Sequence, residues 1–227
     1  SHDAAFGRYD PGHIWVQGLL TYHFLTGHRR AMEVAEGIGD FTARLFERTR
    51  VIGRQVRQIG WPLVSLTAMY EATGKERYLR GARRVMDQAL EWQDPERGHF
   101  PHPIGMISPS ECPHFPRCLG TKPFQMGVVM EGLRMFYQQT GDEAVAEAIR
   151  RGAKWLVDEA WVEHDRGFYH TSCIDSRDKG SSTLLPLDGL GYAYRLTGDR
   201  RYLEVGLKAM EARLPDPDAP VRRDGKG

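Results

Sequence analysis

The sequence lacks an apolar run long enough to cross a membrane, which takes about 20 residues. It also lacks an excess of either charge, because 31 lysines and arginines stand against 30 aspartates and glutamates. Such a balance does not indicate a basic surface for nucleic acid or for anionic lipid. We therefore expect neither a nucleic acid nor a membrane among the partners.

Cysteine is scarce, with three residues at Cys112, Cys118 and Cys173. Three cysteines form no disulfide framework, although Cys112 and Cys118 could pair, or all three could remain thiols. Together with His114 they could also bind zinc, but the C-x5-C spacing is not that of a standard zinc knuckle. We predict no metal ligand and no cofactor, with zinc or calcium as the lesser alternative.

Several catalytic fingerprints are missing as well. The sequence has no Walker A motif, no Rossmann glycine motif and no G-x-S-x-G elbow, which weighs against nucleotide-binding proteins, dehydrogenases and serine hydrolases. Its 41% hydrophobic and 27% charged residues are ordinary for a globular protein. We expect residues 1–227 to form one domain or a segment of a larger one, with a frayed tail at 214–227.

What the sequence does contain is a fourfold repeat. Thr-Gly followed by a polar residue recurs with glycine spacings of 47, 67 and 57 residues, at Gly27, Gly74, Gly141 and Gly198. A leucine stands eight residues before each glycine, preceded by a small residue: Gly18, Ser65, Gly132 and Gly189. Four residues before each glycine is a ring: His23, Tyr70, Tyr137 and Tyr194.

Each copy of the repeat predicts a hairpin of two helices. The leucine and the ring lie four residues apart, on one helix face, and the glycine suits the left-handed position that ends a helix. Apolar residues then recur at helical period in a second, charged helix, as at Val34, Ile38, Phe41 and Leu45. First helices such as "PFQMGVVMEGLRMFY" are apolar nearly all round, which is typical of an inner helix. We predict an all-α fold, an α/α-toroid with an inner and an outer ring.

Two stretches, "GHIWVQGLLTYHFLTGHRRAMEVAEGIGDF" and "GVVMEGLRMFYQQTGDEAVAEAIRRGAKWL", resemble hairpins of the six-hairpin glycosidase-like superfamily. That group includes exo-rhamnogalacturonan-lyase-type polysaccharide lyases, uronyl hydrolases and N-acylglucosamine 2-epimerase-like isomerases. The resemblance covers most of the chain, residues 9–213. Because the chain has four hairpins, it implies a partial or open toroid, completed by a second copy, by a flanking domain or not at all.

The resemblance also implies a function. We expect a carbohydrate-active enzyme, a polysaccharide lyase or glycoside hydrolase acting on a uronic-acid-containing oligosaccharide or polysaccharide. Two alternatives stay open. One is a non-catalytic helical repeat scaffold or toroid segment that needs a partner, and the other is a sugar epimerase or isomerase.

Catalytic candidates stand ten residues before each repeat glycine, where the copies read Gln17, Val64, Glu131 and Asp188. The two carboxylates lie inside apolar stretches, and burying an unpaired carboxylate costs several kcal/mol. A polar lumen would accommodate them, and there they could serve as general acid and base on a sugar. The alternative is that they pair with an arginine such as Arg134 or Arg195, or cap backbone.

The loop "YDPGHIW" places Tyr9, Asp10 and His13 just ahead of the first inner helix. Tyrosine and histidine suit the base and acid roles of a lyase, so we count Tyr9 and His13 as catalytic candidates. On the alternative interpretation, Asp10 or the glycine caps the helix, and His13 and Trp15 only pack.

Substrate-binding candidates come from the aromatic mouth and from the long loops before the third and fourth inner helices. Tryptophan can stack on a sugar ring and arginine binds carboxylates, whereas the alternative for the loop residues is ordinary solvated charge. The predicted sugar contacts are Trp15, Gln17, Trp61, His114, Arg117, Gln125, His170 and Asp175.

Overall fold

The computed structural model describes residues 10–105, 112–114, 117–176, 180–181 and 184–214. Within these residues the chain forms eight α-helices, paired in sequence order into four hairpins. Their bounds are α1 Gln17–Thr26, α2 Arg29–Leu45, α3 Arg57–Thr73, α4 Glu76–Trp92, α5 Pro123–Thr140, α6 Glu143–Asp158, α7 Pro186–Thr197 and α8 Arg200–Glu211. The expected Tyr9 and the tail from 215 onward lie outside the described residues. No described helix is long and apolar enough to span a bilayer.

The turn inside each hairpin follows one local plan. Each repeat glycine has a positive φ, between 64° and 73°, and its N–H bonds to the carbonyl of the ring residue four positions earlier. The threonine before it donates its hydroxyl to a carbonyl four residues back at 2.6–3.0 Å. The same hydroxyl accepts the N–H of the residue after the glycine at 3.1–3.3 Å. The Thr-Gly motif therefore ends one helix and turns the chain into the next.

The odd-numbered helices pack side by side as an inner row, and the even-numbered helices pack outside them. The central helices α3 and α5 have neighbours on both sides and are buried along most of their length. In the described residues, no contact of comparable extent joins α1 to α7. The predicted inner and outer rings are thus confirmed, and the toroid is an open arc.

Short strands occur in the long loops, where the sequence predicts none. β1 (His102–Pro103) pairs antiparallel with β2 (Leu119–Gly120) ahead of α5. Ahead of α7, β4 (Gly167–Tyr169) pairs with β3 (Trp161–Val162) on one side and β5 (Gly180–Ser181) on the other. These strands join segments of the loops on the side of the molecule where the inner helices begin.

Exposed apolar side chains mark both ends of the arc. Among the described helices, large exposed apolar residues lie on the first and last hairpins: Tyr22, Phe24, Leu25, Val34, Phe41, Leu207 and Met210. Leu25 is 80% exposed and Phe24 is 63% exposed. Val34 and Phe41 belong to the apolar period of α2 and are nevertheless exposed, because α2 ends the outer row and has a neighbour in that row on one side.

Candidate functional site

Three positions of the repeat fall on one face of each inner helix. They stand ten, six and three residues before the repeat glycine, and steps of four and three residues follow one helix face. Residues at these positions line a hollow of about 480 Å³ between α1, α3 and α5: Gln17, Thr21, Phe24, Ala68, Glu71 and Met135. We call this surface the concave face. Sequence reasoning used the first position and missed Thr21 and Glu71, although the same alignment contains them.

The predicted carboxylates lie on neighbouring inner helices and have different environments. Arg134 donates from Nε to Asp188 Oδ2 at 2.6 Å, so Asp188 is paired as the alternative interpretation allowed. Glu131 is half-buried on α5 and has no hydrogen bond or ion pair among the described residues. Its burial, and then the negative charge of Asp188, raise the pKa of Glu131 above its ordinary value, with Arg134 opposing.

The first loop forms a short 3-10 turn ahead of α1. Asp10 Oδ1 accepts the N–H of Gly12 at 2.8 Å and caps a 3-10 turn at Pro11–His13, so that α1 begins at Gln17. Gln58 of α3 donates to the same oxygen at 3.2 Å. Asp10 therefore fixes the first loop against α3.

Aromatic side chains follow this turn. His13 meets Trp15 edge-on with 6.1 Å between ring centroids, and Trp15 meets Trp61 edge-on at 5.5 Å. Trp15 is 51% exposed. Trp61 lies three residues before Val64 on α3, so this row of rings stands beyond the hollow, towards the start of the inner helices.

The remaining predicted sugar contacts divide between the surface and the interior. Gln125 is 1% exposed, and its Oε1 accepts the N–H of Val56 at 3.1 Å. This bond anchors the start of α3, and the buried Gln125 side chain is not accessible to a sugar, contrary to the prediction. His170 is stacked on Phe124 with 6.0 Å between centroids. Arg117 is exposed, and its N–H closes a turn onto the carbonyl of His114 at 2.8 Å.

The three cysteines gather with His114 at the loop-rich end. The ligand atoms of Cys112, His114, Cys118 and Cys173 all lie within 4.8 Å of one another, and the cysteines are free thiols. The Cys112–Cys118 disulfide weighed from the sequence is therefore not formed. Asp175, also predicted to bind sugar, instead lies 3.1 Å from His114, Oδ2 to Nε2.

The thiols differ in acidity. Burial, followed by hydrogen bonds to Cys112 and Cys173, raises the pKa of Cys118 to about 12. Burial also disfavours ionisation of Cys173, but hydrogen bonds with Cys112 and His114 outweigh it and lower the pKa of Cys173 to about 7.

Comparison with known proteins gives two kinds of similarity. Residues 4–102 match the family model described as beta-L-arabinofuranosidase, GH127 catalytic domain. A curated relative is the non-reducing end beta-L-arabinofuranosidase of Bifidobacterium longum subsp. longum, 24% identical over 216 residues, which cover 87% of this chain and 30% of the relative.

Solved structures share the fold at low identity. An unsaturated glucuronyl hydrolase from Streptococcus agalactiae has a TM-score of 0.67 at 14% identity, over 87% of this chain and 51% of that protein. An α-1,6-mannanase of Salegentibacter has a TM-score of 0.66 at 14% identity, over 91% and 60% respectively. A cellobiose 2-epimerase from Bacillus thermoamylovorans has a TM-score of 0.61 at 12% identity, over 86% and 57%. The fold is that of six-hairpin glycosidase structures, and the chain spans 51–60% of these three structures and 30% of the curated relative.

Proposed function

We propose that this chain is part of a glycoside hydrolase and binds a carbohydrate on its concave face. The arabinofuranosidase family match and the curated relative support hydrolysis of a glycosidic bond. The toroid fold supports a carbohydrate ligand more generally, but it serves hydrolases and an epimerase alike, so it does not choose the reaction.

One observation supports the catalytic assignment: the two carboxyl groups on the neighbouring inner helices α5 and α7 have different environments. Glu131 is half-buried with a raised pKa, and Asp188 is paired with Arg134. A carboxyl group that keeps its proton to higher pH can protonate the leaving oxygen, while a charged partner stabilises the positive sugar or activates water. We propose Glu131 as the general acid and Asp188 as the charged partner.

We propose a terminal β-L-arabinofuranose as the sugar. This choice rests on the matched family, which is that of a beta-L-arabinofuranosidase, and on the curated relative, which is a non-reducing end beta-L-arabinofuranosidase. The uronic-acid substrate and the lyase reaction expected from the resemblance gain no support from that match. On this proposal Trp15, Trp61 and His13 border the sugar by their apolar faces, in the way aromatic rings contact pyranose and furanose rings.

The test compares a panel of aryl glycosides, with L-arabinofuranoside, unsaturated glucuronide and α-mannoside arms. We expect release from the β-L-arabinofuranoside alone, and a drop in kcat of about 10²–10⁴-fold in Glu131→Gln with little change in KM. Glu33→Gln on the exposed face of α2 is the matched control and should leave turnover unchanged. Absence of both turnover and arabinose binding, or full activity in Glu131→Gln, would overturn the proposal.

A second proposal concerns partners. The exposed apolar residues at both ends of the arc, with Leu25 and Phe24 the most exposed, favour a toroid segment whose ends contact further helical hairpins. Light scattering should then detect association that weakens in Leu25→Lys and persists in Leu119→Lys, which changes an exposed leucine of β2 away from the ends of the arc. A monomer at all concentrations that binds no apolar dye would contradict it.

A further inference from the structure

A row of ion pairs joins the outer helices α2 and α4 and the residues beside their ends. In each pair an acid on one side of the groove between the helices meets a base on the other side. The pairs are Glu36–Lys75 and Asp40–Arg77, both at 2.6 Å, Glu47–Arg84 at 3.2 Å and Arg50–Glu91 at 2.5 Å. Opposite charges therefore face each other along most of this groove.

The middle of the row departs from that pattern, because two arginines occupy it. Arg44 stands four residues after Asp40, and Arg80 stands three residues after Arg77, so helical spacing puts each on the groove side of its own helix. Both residues are exposed. In the part of the chain that the structure describes, neither guanidinium has an ion pair or a hydrogen bond. Two like charges thus face one groove without a counter-charge of their own.

The two helices approach each other closely at this point. A Cβ at Gly81 would lie 3.0 Å from Cβ of Ala43 and 3.3 Å from its Cα, so α2 and α4 are in close contact there. Ala43 precedes Arg44, and Gly81 follows Arg80. Both arginine side chains therefore start beside the same contact between the helices.

Both arginines line a hollow of about 390 Å³, which we call the arginine hollow. Four arginines and two carboxylates line it, which leaves an excess of two positive charges: Asp40, Arg44, Glu47, Arg77, Arg80 and Arg84. Asp40 accepts from Arg77, and Glu47 accepts from Arg84, so both carboxylates are already neutralised. The excess charge is that of Arg44 and Arg80, although the whole chain has a net charge of only +1.

We propose that the arginine hollow binds one doubly charged tetrahedral oxyanion, a phosphate or sulfate group, between Arg44 and Arg80. A guanidinium presents its N–H donors in a planar fork that binds two oxygens of such an anion. A dianion with four oxygens matches both the two unpaired forks and the excess charge. A carboxylate has one charge and two oxygens, so it would satisfy a single fork.

The bound anion would take the place of the acid that is missing from the row. It would join α2 to α4, and so the first hairpin to the second. This link stabilises the end of the arc, because α2 has a neighbour in the outer row on one side. The arginine hollow lies between outer helices and away from the concave face, so the proposal does not rest on the proposed hydrolysis.

The experiment titrates the protein with sodium phosphate and sodium sulfate, with sodium chloride at equal ionic strength as the control for screening. Calorimetry should show one site per chain for either dianion. Both should also raise Tm beyond the effect of chloride, because a ligand that binds the folded state stabilises it. Arg44→Gln and Arg80→Gln should each weaken phosphate binding about 10–100-fold, since each removes charge-assisted hydrogen bonds. Arg29→Gln, which changes an exposed arginine at the start of α2, should bind phosphate as the parent does.

A charge reversal separates loss of the site from loss of the fold. Arg80→Glu places a carboxylate opposite Arg44 and completes the row of ion pairs, so it should abolish phosphate binding and keep or raise Tm. Glucose 6-phosphate should compete with inorganic phosphate. A higher affinity for glucose 6-phosphate would identify the ligand as a phosphorylated sugar, and an equal or lower affinity would identify it as the free anion.

Three results would overturn the proposal. The first is an effect of phosphate and sulfate no larger than that of chloride. The second is acetate binding as tight as phosphate binding, and the third is an unchanged phosphate affinity in both glutamine variants. None of these measurements involves sugar hydrolysis, so this proposal and the proposed function fail independently.

Discussion

The repeat places a small residue before each inner-helix leucine. Three of these small residues are glycines, and the structure gives the three glycines different surroundings. A Cβ at Gly189 would lie 2.5 Å from Cβ of Met130, and one at Gly132 would lie 3.0–3.1 Å from Leu63. Apart from its chain neighbours and the backbone of its own helix, no described atom lies within 4 Å of a Cβ at Gly18. The substitution of glycine by alanine at one repeat position therefore tests whether each inner helix has a close neighbour.

The expected changes follow from two opposing effects. Alanine stabilises a helix by about 0.5–1 kcal/mol relative to glycine. Carbon atoms pack at about 3.5–4.0 Å, so at Gly189 the new methyl falls short by about 1 Å, and such overpacking costs about 1–3 kcal/mol. Gly189→Ala should lose about 1–2 kcal/mol net, Gly132→Ala should stay within about 0.5 kcal/mol of the parent, and Gly18→Ala should gain about 0.5–1 kcal/mol.

Calorimetry of the three variants checks this order. For a domain of this size 1 kcal/mol shifts Tm by about 2–4 °C, so we expect a fall of about 2–8 °C for Gly189→Ala and a rise of about 1–4 °C for Gly18→Ala. Far-ultraviolet circular dichroism at two protein concentrations controls for association. A Gly189→Ala protein as stable as the parent would refute the close α5–α7 contact. A destabilised Gly18→Ala protein would refute the open first flank.

Three further predictions concern charge and capping. Because burial raises the pKa of the Glu131 carboxyl, the folded state binds its proton more tightly than the unfolded chain does, and this tighter binding stabilises the fold at low pH. The stabilisation is lost as the pH rises above about 4.5. Glu131→Gln should therefore raise Tm at pH 7 but not at pH 3. Burial lowers the pKa of His99 below 6.5, so stability should fall as the pH drops through that value, and His99→Gln should flatten this part of the Tm profile. Asp142 caps α6 by accepting the N–H of Ala144 at 3.1 Å, so Asp142→Ala should cost about 1 kcal/mol, or about 2–4 °C in Tm, while Asp142→Asn keeps the cap and most of the stability.

The hairpins could be predicted because everything that makes them is local. At Thr140 and Gly141, the hydroxyl, the positive φ and the capping N–H engage groups within four residues along the chain. The same short-range plan recurs in each copy, so repetition in the sequence reports directly on repetition in the structure. Inner and outer helices were likewise separable, since a helix covered on both sides needs apolar residues all round.

The site was less predictable because it depends on contacts between distant segments. Gln125 is drawn into the interior by Val56, 69 residues away in the sequence, and Cys112 meets Cys173 across two loops. Loop composition says which side chains can bind sugar or metal, but the curvature of the helix rows decides which of them meet. For that reason His114 and Asp175, both predicted as sugar contacts, turn out to contact each other.

An apolar stripe predicts that a helix packs against a neighbouring helix, but the number of repeats determines whether such a neighbour is present. Gly132 and Gly18 occupy the same position of the repeat, yet one contacts Leu63 and the other faces open space. Likewise, Phe41 and Trp155 both stand fourteen residues after a repeat glycine, yet Phe41 is exposed on α2 and Trp155 is buried on α6. A repeat fixes the geometry of each step, so it sets the curvature of the arc, but closure also requires enough steps. The concave face is therefore formed one inner helix at a time, and on our proposal a sugar in its hollow contacts α1, α3 and α5.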